Sequence, residues 1–224
     1  MMGLLSSSIA RKIAMSLSAL FLLVFLLQHC IINFISVVSP DGFNAASHFM
    51  GTNPLIQYVM QPVLAFGVVF HFVMGFVLEL KNRKARPVKY AMNKGSENST
   101  WMSRNMIISG VVVLLFFAIH FMDFWFPELN IKYIKGDMSG MEHGEWRYYA
   151  ELKEEFSNPI RIALYCLAFV FLSLHLMHGF ESAFQSLGLR HKKYTPFIKK
   201  LGTIYSIAVP LAFIFIAVYH FINS

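Results

Sequence analysis

The chain has 224 residues, of which 56% are apolar and 16% aromatic, and its mean hydropathy is +0.55. Only 14% of the residues are charged, against about 25% in a typical soluble domain, so the composition indicates a membrane protein and not a soluble one. The formal net charge is +7, but the basic residues follow the loop pattern of a membrane protein, which argues against a nucleic-acid-binding protein.

The hydropathy pattern predicts five membrane spans in a single domain of residues 1–224, since a helix needs about 20 apolar residues to cross the hydrocarbon core. The predicted spans are residues 13–38, 56–80, 105–126, 160–187 and 201–222. Arg11 and Lys12 precede the first apolar run, as in a signal peptide, but the run exceeds the usual 7–15 residues of such a peptide. We therefore expect a retained first span. A short surface helix is predicted around residues 144–156.

Basic residues alternate between the two sides of the predicted membrane. The segments before the first span, between the second and third, and between the fourth and fifth are rich in Lys and Arg. Residues 39–55 contain neither, and residues 127–159 hold four basic and seven acidic residues. Because basic loops stay in the cytoplasm, we expect the N-terminus to be cytoplasmic and the two acidic or neutral loops to lie outside.

Each of the first four predicted spans contains a deep histidine. His29 and His120 lie about 15 residues into outward-running spans, roughly 22 Å from the cytoplasmic end. His71 and His175 lie roughly 14–18 Å from that end in inward-running spans. The depths predict an outer pair, His29 with His120, and an inner pair, His71 with His175. Each pair joins helices of like direction, which stand diagonally in a four-helix bundle.

Imidazole is the usual axial ligand of b-type haem iron, so the two pairs predict two six-coordinate haems b held by the first four spans. The fourth span also contains His178. The second span reads HFVMG and the fourth HLMHG, which places Gly75 and Gly179 four residues after His71 and His175. A glycine on the ligand face leaves room for the flat macrocycle, so this spacing favours His175 as the ligand and His178 as a neighbour of the haem.

Other interpretations of these histidines fit less well. A zinc or proton-relay site would place the histidines at one depth and add carboxylates, whereas Glu79, Asp123 and Glu181 lie near the predicted ends of the spans. The sequence shows no internal repeat beyond the two HxxxG segments, and a small transporter is expected to contain one. His48, His143 and His191 are predicted in loops, and His220 at the membrane boundary. Cys30 and Cys166 lie in apolar runs and form no CxxC pair.

These features resemble the five-helix dihaem cytochrome b subunit of succinate dehydrogenase and fumarate reductase, in the single-anchor form of menaquinone-using bacteria, including the Bacteroidetes type. The resemblance covers the whole chain. It rests on the order of the four histidines, on HxxxG in two spans, and on SHFMGTNPLIQ (47–57), HFMDFW (120–125) and HGFESAFQSLGL (178–189).

The resemblance implies an electron-transfer subunit in the bacterial cytoplasmic membrane. A flavoprotein and an iron–sulfur subunit dock on its cytoplasmic face, and the dicarboxylate chemistry takes place in those partners. Electrons pass through the inner and outer haems to menaquinone near the outer face. Movement towards the positive side of the membrane gains roughly 2.3 kcal/mol per charge per 100 mV, which favours succinate oxidation by this low-potential quinone.

The family pattern also implies roles for polar residues. Ser16, and Trp101 or Ser103, match the positions that bind haem propionates, and His178 is a further candidate. His48, Asn53, Gln57 and Gln61 are candidate quinone partners. Two positions depart from the family: Ser173 stands where some members have a proton-conducting glutamate, and only Asp41 is acidic in the first outer loop.

The sequence therefore predicts the cytochrome b anchor of a succinate:menaquinone oxidoreductase. The alternatives are the corresponding fumarate reductase subunit, the cytochrome b of a hydrogenase or formate dehydrogenase, and a small transporter without haem.

Overall fold

A computed structural model of the protein describes residues 7–84 and 105–224. The described chain is almost entirely helical, with one two-stranded antiparallel hairpin. The elements in chain order are α1 (Ser8–Val38), α2 (Pro40–Thr52), a π-helix (Ile56–Met60), α3 (Gln61–Lys84), α4 (Met106–His120), a second π-helix (Phe121–Trp125), α5 (Phe126–Leu129), a third π-helix (Asn130–Ile134), β1 (Met141–Glu142), β2 (Glu145–Trp146), α6 (Tyr148–Ser157), α7 (Pro159–Ser186) and α8 (Thr195–Ile222).

Within residues 7–84 and 105–224, five helical segments are long and apolar enough to cross a membrane, which confirms the predicted number. We refer to Ser8–Val38, Ile56–Lys84, Met106–Ile134, Pro159–Ser186 and Thr195–Ile222 as the first to fifth spans. Lipid offers no hydrogen-bond partner to the backbone, so a helix is the structure that satisfies these apolar sequences. At a rise of 1.5 Å per residue, each span is roughly 42–46 Å long, which exceeds the hydrocarbon thickness of about 30 Å.

The third span continues to Ile134, beyond the predicted end at residue 126. Pro127 lies inside this continuous helix, two residues after a π-helical turn, and local adjustments of this kind let membrane helices tolerate proline. Glu128 and Lys132 neutralise each other one turn apart, with 2.6 Å between Oε1 and Nζ. As a result Asp123 lies inside the span, and the expectation that it sits near a helix end is wrong.

Residues 39–55 are mostly helical, so the predicted loop is also wrong. Pro40–Thr52 form α2, which begins with proline in its first turn and with Ser39 Oγ accepting the Gly42 N–H at 3.0 Å. A serine cap followed by proline is a strong helix start, and it is the signal that hydropathy alone misses. His48 therefore lies on a helix.

The hairpin and α6 cover the same end of the bundle as α2. The surface helix predicted around 144–156 is confirmed by α6, Tyr148–Ser157. The Tyr149 N–H donates to Asn44 Oδ1 at 2.9 Å and joins α6 to α2. We call α2, the hairpin and α6 together the cap.

A buried ion-pair network fastens the cap to the third span. Arg147 is only 4% exposed and bonds Glu128 and Glu151, the latter at 2.8 Å. Lys132, 3% exposed, contacts Glu128 and donates to the Gly51 carbonyl at the end of α2. Burial alone lowers the pKa of Arg147, but its hydrogen bonds to Glu151 and Glu128 outweigh burial and raise the pKa above its ordinary value.

The apolar core is concentrated around the fifth span and the cap. Its larger cluster joins side chains of the first, fourth and fifth spans to Phe43, Tyr148, Leu152 and Phe156 of the cap. In the most apolar windows of the first and second spans, 11% and 6% of the residues are buried, against 39% in the fifth. The fifth span is therefore a structural support, and the first two spans keep much of their side-chain surface free.

We expect Arg147→Met to destabilise the protein by about 3 kcal/mol, because it leaves the carboxylates of Glu128 and Glu151 short of a buried partner. Thermal unfolding in detergent, followed by tryptophan fluorescence, measures the effect. Arg83→Met is the matched control, since Arg83 pairs with Glu79 on an exposed helix turn and such pairs contribute less than about 1 kcal/mol. Equal melting temperatures for the two variants would contradict a stabilising cap network.

Candidate functional site

The imidazole rings of His29 and His120 lie side by side between the first and third spans. Their centroids are 5.8 Å apart and their planes are nearly perpendicular, at 82°. Each ring stacks on a phenylalanine one helical turn earlier, His29 on Phe25 at 5.5 Å and His120 on Phe116 at 5.6 Å. The stacking fixes the orientation of both rings in an apolar interior.

A second pair of rings belongs to His71 and His175, on the second and fourth spans. Their centroids are 6.3 Å apart, with an interplanar angle of 69°. His71 Nδ1 lies 3.3 Å from Ser18 Oγ, and His175 Nδ1 lies 3.4 Å from Ser109 Oγ. The structure thus brings together the same two pairs of histidines that their depths predict, while their role as ligands stays a prediction.

His178 does not join a pair. Its Nε2 lies 3.2 Å from Ser182 Oγ, four residues further along the same helix. Of the two histidines that the sequence offers in the fourth span, His175 is the one beside His71.

The two glycines of the HxxxG segments lie beside methionine methyl groups. A Cβ atom added at Gly75 would lie 3.7 Å from Met15 Cε, and one at Gly179 would lie 3.5 Å from Met106 Cε. These are ordinary contacts with the flexible ends of side chains. Both positions can therefore admit a flat group once the methionines move.

The contacts show a longer internal repeat than the two HxxxG segments. Several residues of the first span recur in the third span 91 positions later. The histidine and the glycine of HxxxG in the second span recur in the fourth span 104 positions later. The matched residues make the same contacts in both copies, including the stacking of each phenylalanine on its histidine. The matched positions of the first and third spans are Met15 and Met106, Ser18 and Ser109, Phe25 and Phe116, and His29 and His120. These positions are scattered over 15 residues, so the correspondence between the spans is evident from the contacts and not from inspection of the sequence.

The predicted propionate partners are only partly described. Ser16 is buried, and its hydroxyl donates to the Lys12 carbonyl at 2.9 Å, while Ser18 is the serine that reaches a histidine. Trp101 and Ser103 lie outside the described residues. Ser173 donates to the Ser206 carbonyl at 2.7 Å.

The four candidate quinone residues lie at or near the cap, but Asn53, Gln57 and, through one ring nitrogen, His48 already have hydrogen-bond partners. Asn53 Oδ1 accepts the N–H groups of the next helical turn, and Gln57 uses both ends of its amide, on the Met50 carbonyl and the Tyr133 hydroxyl. His48 is half-buried, with its ring 5.0 Å from that of Trp146. Gln61 is half-buried at the start of α3.

Tyr148 is a neighbour of His48 that the sequence did not reveal. Its hydroxyl lies 3.4 Å from His48 Nδ1. Burial and the negative charge of Glu128 raise the pKa of Tyr148 to about 12. The phenol therefore keeps its proton at neutral pH and can donate a hydrogen bond to His48.

A buried carboxylate lies one turn beyond His120, in the π-helix that begins at Phe121. Asp123 accepts from the Tyr165 hydroxyl at 2.7 Å and pairs with Arg161 at 3.1 Å. The Tyr165 ring lies 6.4 Å from that of His120. A π-helical turn often marks a functional site, and here it directs the carboxylate to partners on the fourth span.

His220 is fully buried in the last turn of the fifth span, and its place at the membrane boundary stays a prediction. Its Nε2 lies 2.8 Å from Ser36 Oγ, which itself donates to the Asn33 carbonyl at 2.6 Å. Rings of the cap, Tyr149 and Phe156, cover this histidine. His143 and His191 are exposed, and Cys30 and Cys166 are free thiols.

No known protein family, curated protein or solved structure matches this chain. The interpretation of the site therefore depends on its residues and their geometry.

We expect Tyr165→Phe to destabilise the protein by about 1.5–3 kcal/mol, because it removes a hydrogen bond to a buried carboxylate. Tyr205→Phe is the control: its hydroxyl donates to the neutral Leu23 carbonyl at 2.6 Å, and losing such a bond costs about 1 kcal/mol. Unfolding of both variants in the same detergent makes the comparison. A smaller loss for Tyr165→Phe than for Tyr205→Phe would show that Asp123 is not a charged acceptor.

Proposed function

We propose that this chain is the membrane-anchoring cytochrome b subunit of a succinate:menaquinone oxidoreductase and binds two haems b. The observation that carries the proposal is the occurrence of two separate histidine pairs in four consecutive spans, with ring centroids 5.8 and 6.3 Å apart. When bound, haem supplies reversible one-electron oxidation and reduction of its iron.

The ring separations suit two ligands on opposite sides of one metal ion. Metal–imidazole bonds are about 2.0–2.1 Å long, so two rings that bound one ion from opposite sides would have centroids roughly 6.4 Å apart. Each pair offers two imidazoles and no carboxylate or thiol. Zinc sites take three or four protein ligands, and the described residues contain no group of three or more His, Cys, Asp or Glu that could hold a metal. Two imidazoles would complete the six-fold coordination of an iron ion whose other four ligands come from a macrocycle.

The surrounding residues support the same assignment. Phe25 and Phe116 hold the rings of one pair by stacking, and serine hydroxyls bond Nδ1 of each ring in the other pair. Gly75 and Gly179 carry no side chain four residues from His71 and His175, and only the flexible ends of Met15 and Met106 lie beside them. Each pair thus has side chains that fix its imidazoles, and beside one pair a planar group would fit once the two methionines move.

Charge at the two ends of the bundle supports the proposed orientation and partners. The end opposite the cap carries Lys81, Arg83 and Lys84 after the second span and five further basic residues between positions 190 and 200. By the positive-inside rule this end faces the cytoplasm. There it can receive the iron–sulfur and flavoprotein subunits, and menaquinone would bind near the cap, where His48 and Gln61 remain its candidate partners.

The internal repeat does not favour the alternative of a small transporter. Transporter repeats surround a substrate site at broken helices near the midplane. Here the repeated positions are the histidines and the residues that contact them, and each described span is continuous. The fumarate reductase subunit would share these features, and the direction of the reaction is a property of the whole complex.

We expect two haems per chain in the purified protein, measured by the pyridine haemochrome assay. His120→Ala and His175→Ala should each lose one haem, since each removes an axial ligand of a different pair. His191→Ala, which changes an exposed histidine, should retain two, and so should His178→Ala. A well-folded wild-type chain without haem, from haem-replete cells, would contradict the proposal.

The same preparations distinguish the possible complexes. A tagged chain isolated from its native membranes should bring with it covalent or bound flavin, iron–sulfur protein and succinate-dependent reduction of a menaquinone analogue. Two haems without succinate activity would instead favour the hydrogenase or formate dehydrogenase alternative.

A further inference from the structure

The hydroxyl groups of Ser18 and Ser109 each make two hydrogen bonds whose directions can be assigned. Ser18 Oγ donates to the Met15 carbonyl at 2.8 Å, and Ser109 Oγ donates to the Met106 carbonyl at 2.9 Å. A hydroxyl carries a single proton. Because that proton is used on the backbone, the same oxygen can only accept from a second partner.

The second partner of each serine is a histidine nitrogen. Nδ1 of His71 lies 3.3 Å from Ser18 Oγ, and Nδ1 of His175 lies 3.4 Å from Ser109 Oγ. Nδ1 must therefore be the donor in both contacts. A neutral imidazole has one donor and one acceptor nitrogen, so Nε2 of both rings carries a free lone pair.

We propose that Ser18 and Ser109 are equivalent positioning residues that hold His71 and His175 in the tautomer that binds iron through Nε2 and that lower the reduction potential of the haem between them. This inference rests on the proposed function. A hydrogen bond from the remote N–H of a ligating histidine raises the basicity of the ligand, and a more basic ligand favours the oxidised iron.

The other pair lacks this arrangement, which provides an internal reference. Nδ1 of His120 is buried with no hydrogen-bond partner among the described residues. The Asn33 amide NH2 donates to the His29 carbonyl at 2.8 Å and lies 3.4–3.5 Å from both ring nitrogens of His29, where it can only donate and so cannot accept an N–H of the ring. Removal of either serine should therefore change one of the two haems and leave the other unchanged.

Redox titration of the purified, haem-containing protein tests the inference, with the two haems followed by their optical spectra. In Ser18→Ala and in Ser109→Ala, the reduced-to-oxidised ratio of one haem at a fixed potential should rise by roughly 2- to 10-fold, as expected for the loss of one hydrogen bond. The double variant should shift the same haem further. Ser18→Thr and Ser109→Thr retain the hydroxyl and should titrate like the wild type.

Ser173→Ala is the matched control, because Ser173 lies two residues from His175 but bonds only the Ser206 carbonyl. It should leave both potentials unchanged. Loss of the same haem in the alanine variants and its retention in the threonine variants would also support the inference. Two haems with unchanged potentials in both alanine variants would overturn it, and so would an equal shift in Ser173→Ala. A wild-type chain without haem would overturn the proposed function itself, which is a different result.

Discussion

The structure depends on placing four imidazole rings in an apolar interior as two contacting pairs. An unpaired polar group in such an interior is costly. Serine hydroxyls contact Nδ1 of His71 and His175. His29 and His120 are held by stacked phenylalanines, and Nδ1 of His120 has no hydrogen-bond partner among the described residues. The two pairs come from helices that repeat the same residues at the same spacing. This arrangement explains why two copies of a helix pair, rather than four unrelated helices, form the bundle.

The rest of the molecule supports the bundle from one side and one end. The fifth span packs on the first and fourth, with Pro210 and Ala217 buried between helices. The cap is held by a network of buried charges on Arg147, Glu128 and Lys132, and it covers His220. Most side chains of the first two spans take no part in these contacts. The proposed function requires such side chains, because they would contact haem and lipid.

Much of this architecture follows from the sequence. Hydropathy is a property of long segments, so it predicts the number and location of the spans. Helix rise is constant, so depth predicts which histidines meet. Local interactions change where helices begin and end. Examples are the helix cap at Ser39 and Pro40 and the ion pair of Glu128 with Lys132. Hydropathy averaged over a sequence window detects neither.

The residues that the sequence did not reveal are those defined by contact. Ser18 lies two positions from the predicted Ser16, and only the helix rotation decides which of them reaches His71. Ser109, Tyr165 and His220 likewise depend on the packing of distant spans. The repeat that links Ser18 with Ser109 was present in the sequence, but positions at such wide spacing become evident only when their contacts match.

The most direct test of the paired-histidine account is the EPR spectrum of the oxidised, purified chain. Low-spin ferric haem with two imidazole ligands gives a strongly anisotropic signal when the ring planes are near perpendicular and a rhombic one when they are parallel. The interplanar angles of 82° and 69° predict two strongly anisotropic low-spin signals and no high-spin signal. A high-spin spectrum, or a folded chain without any haem signal, would contradict the account.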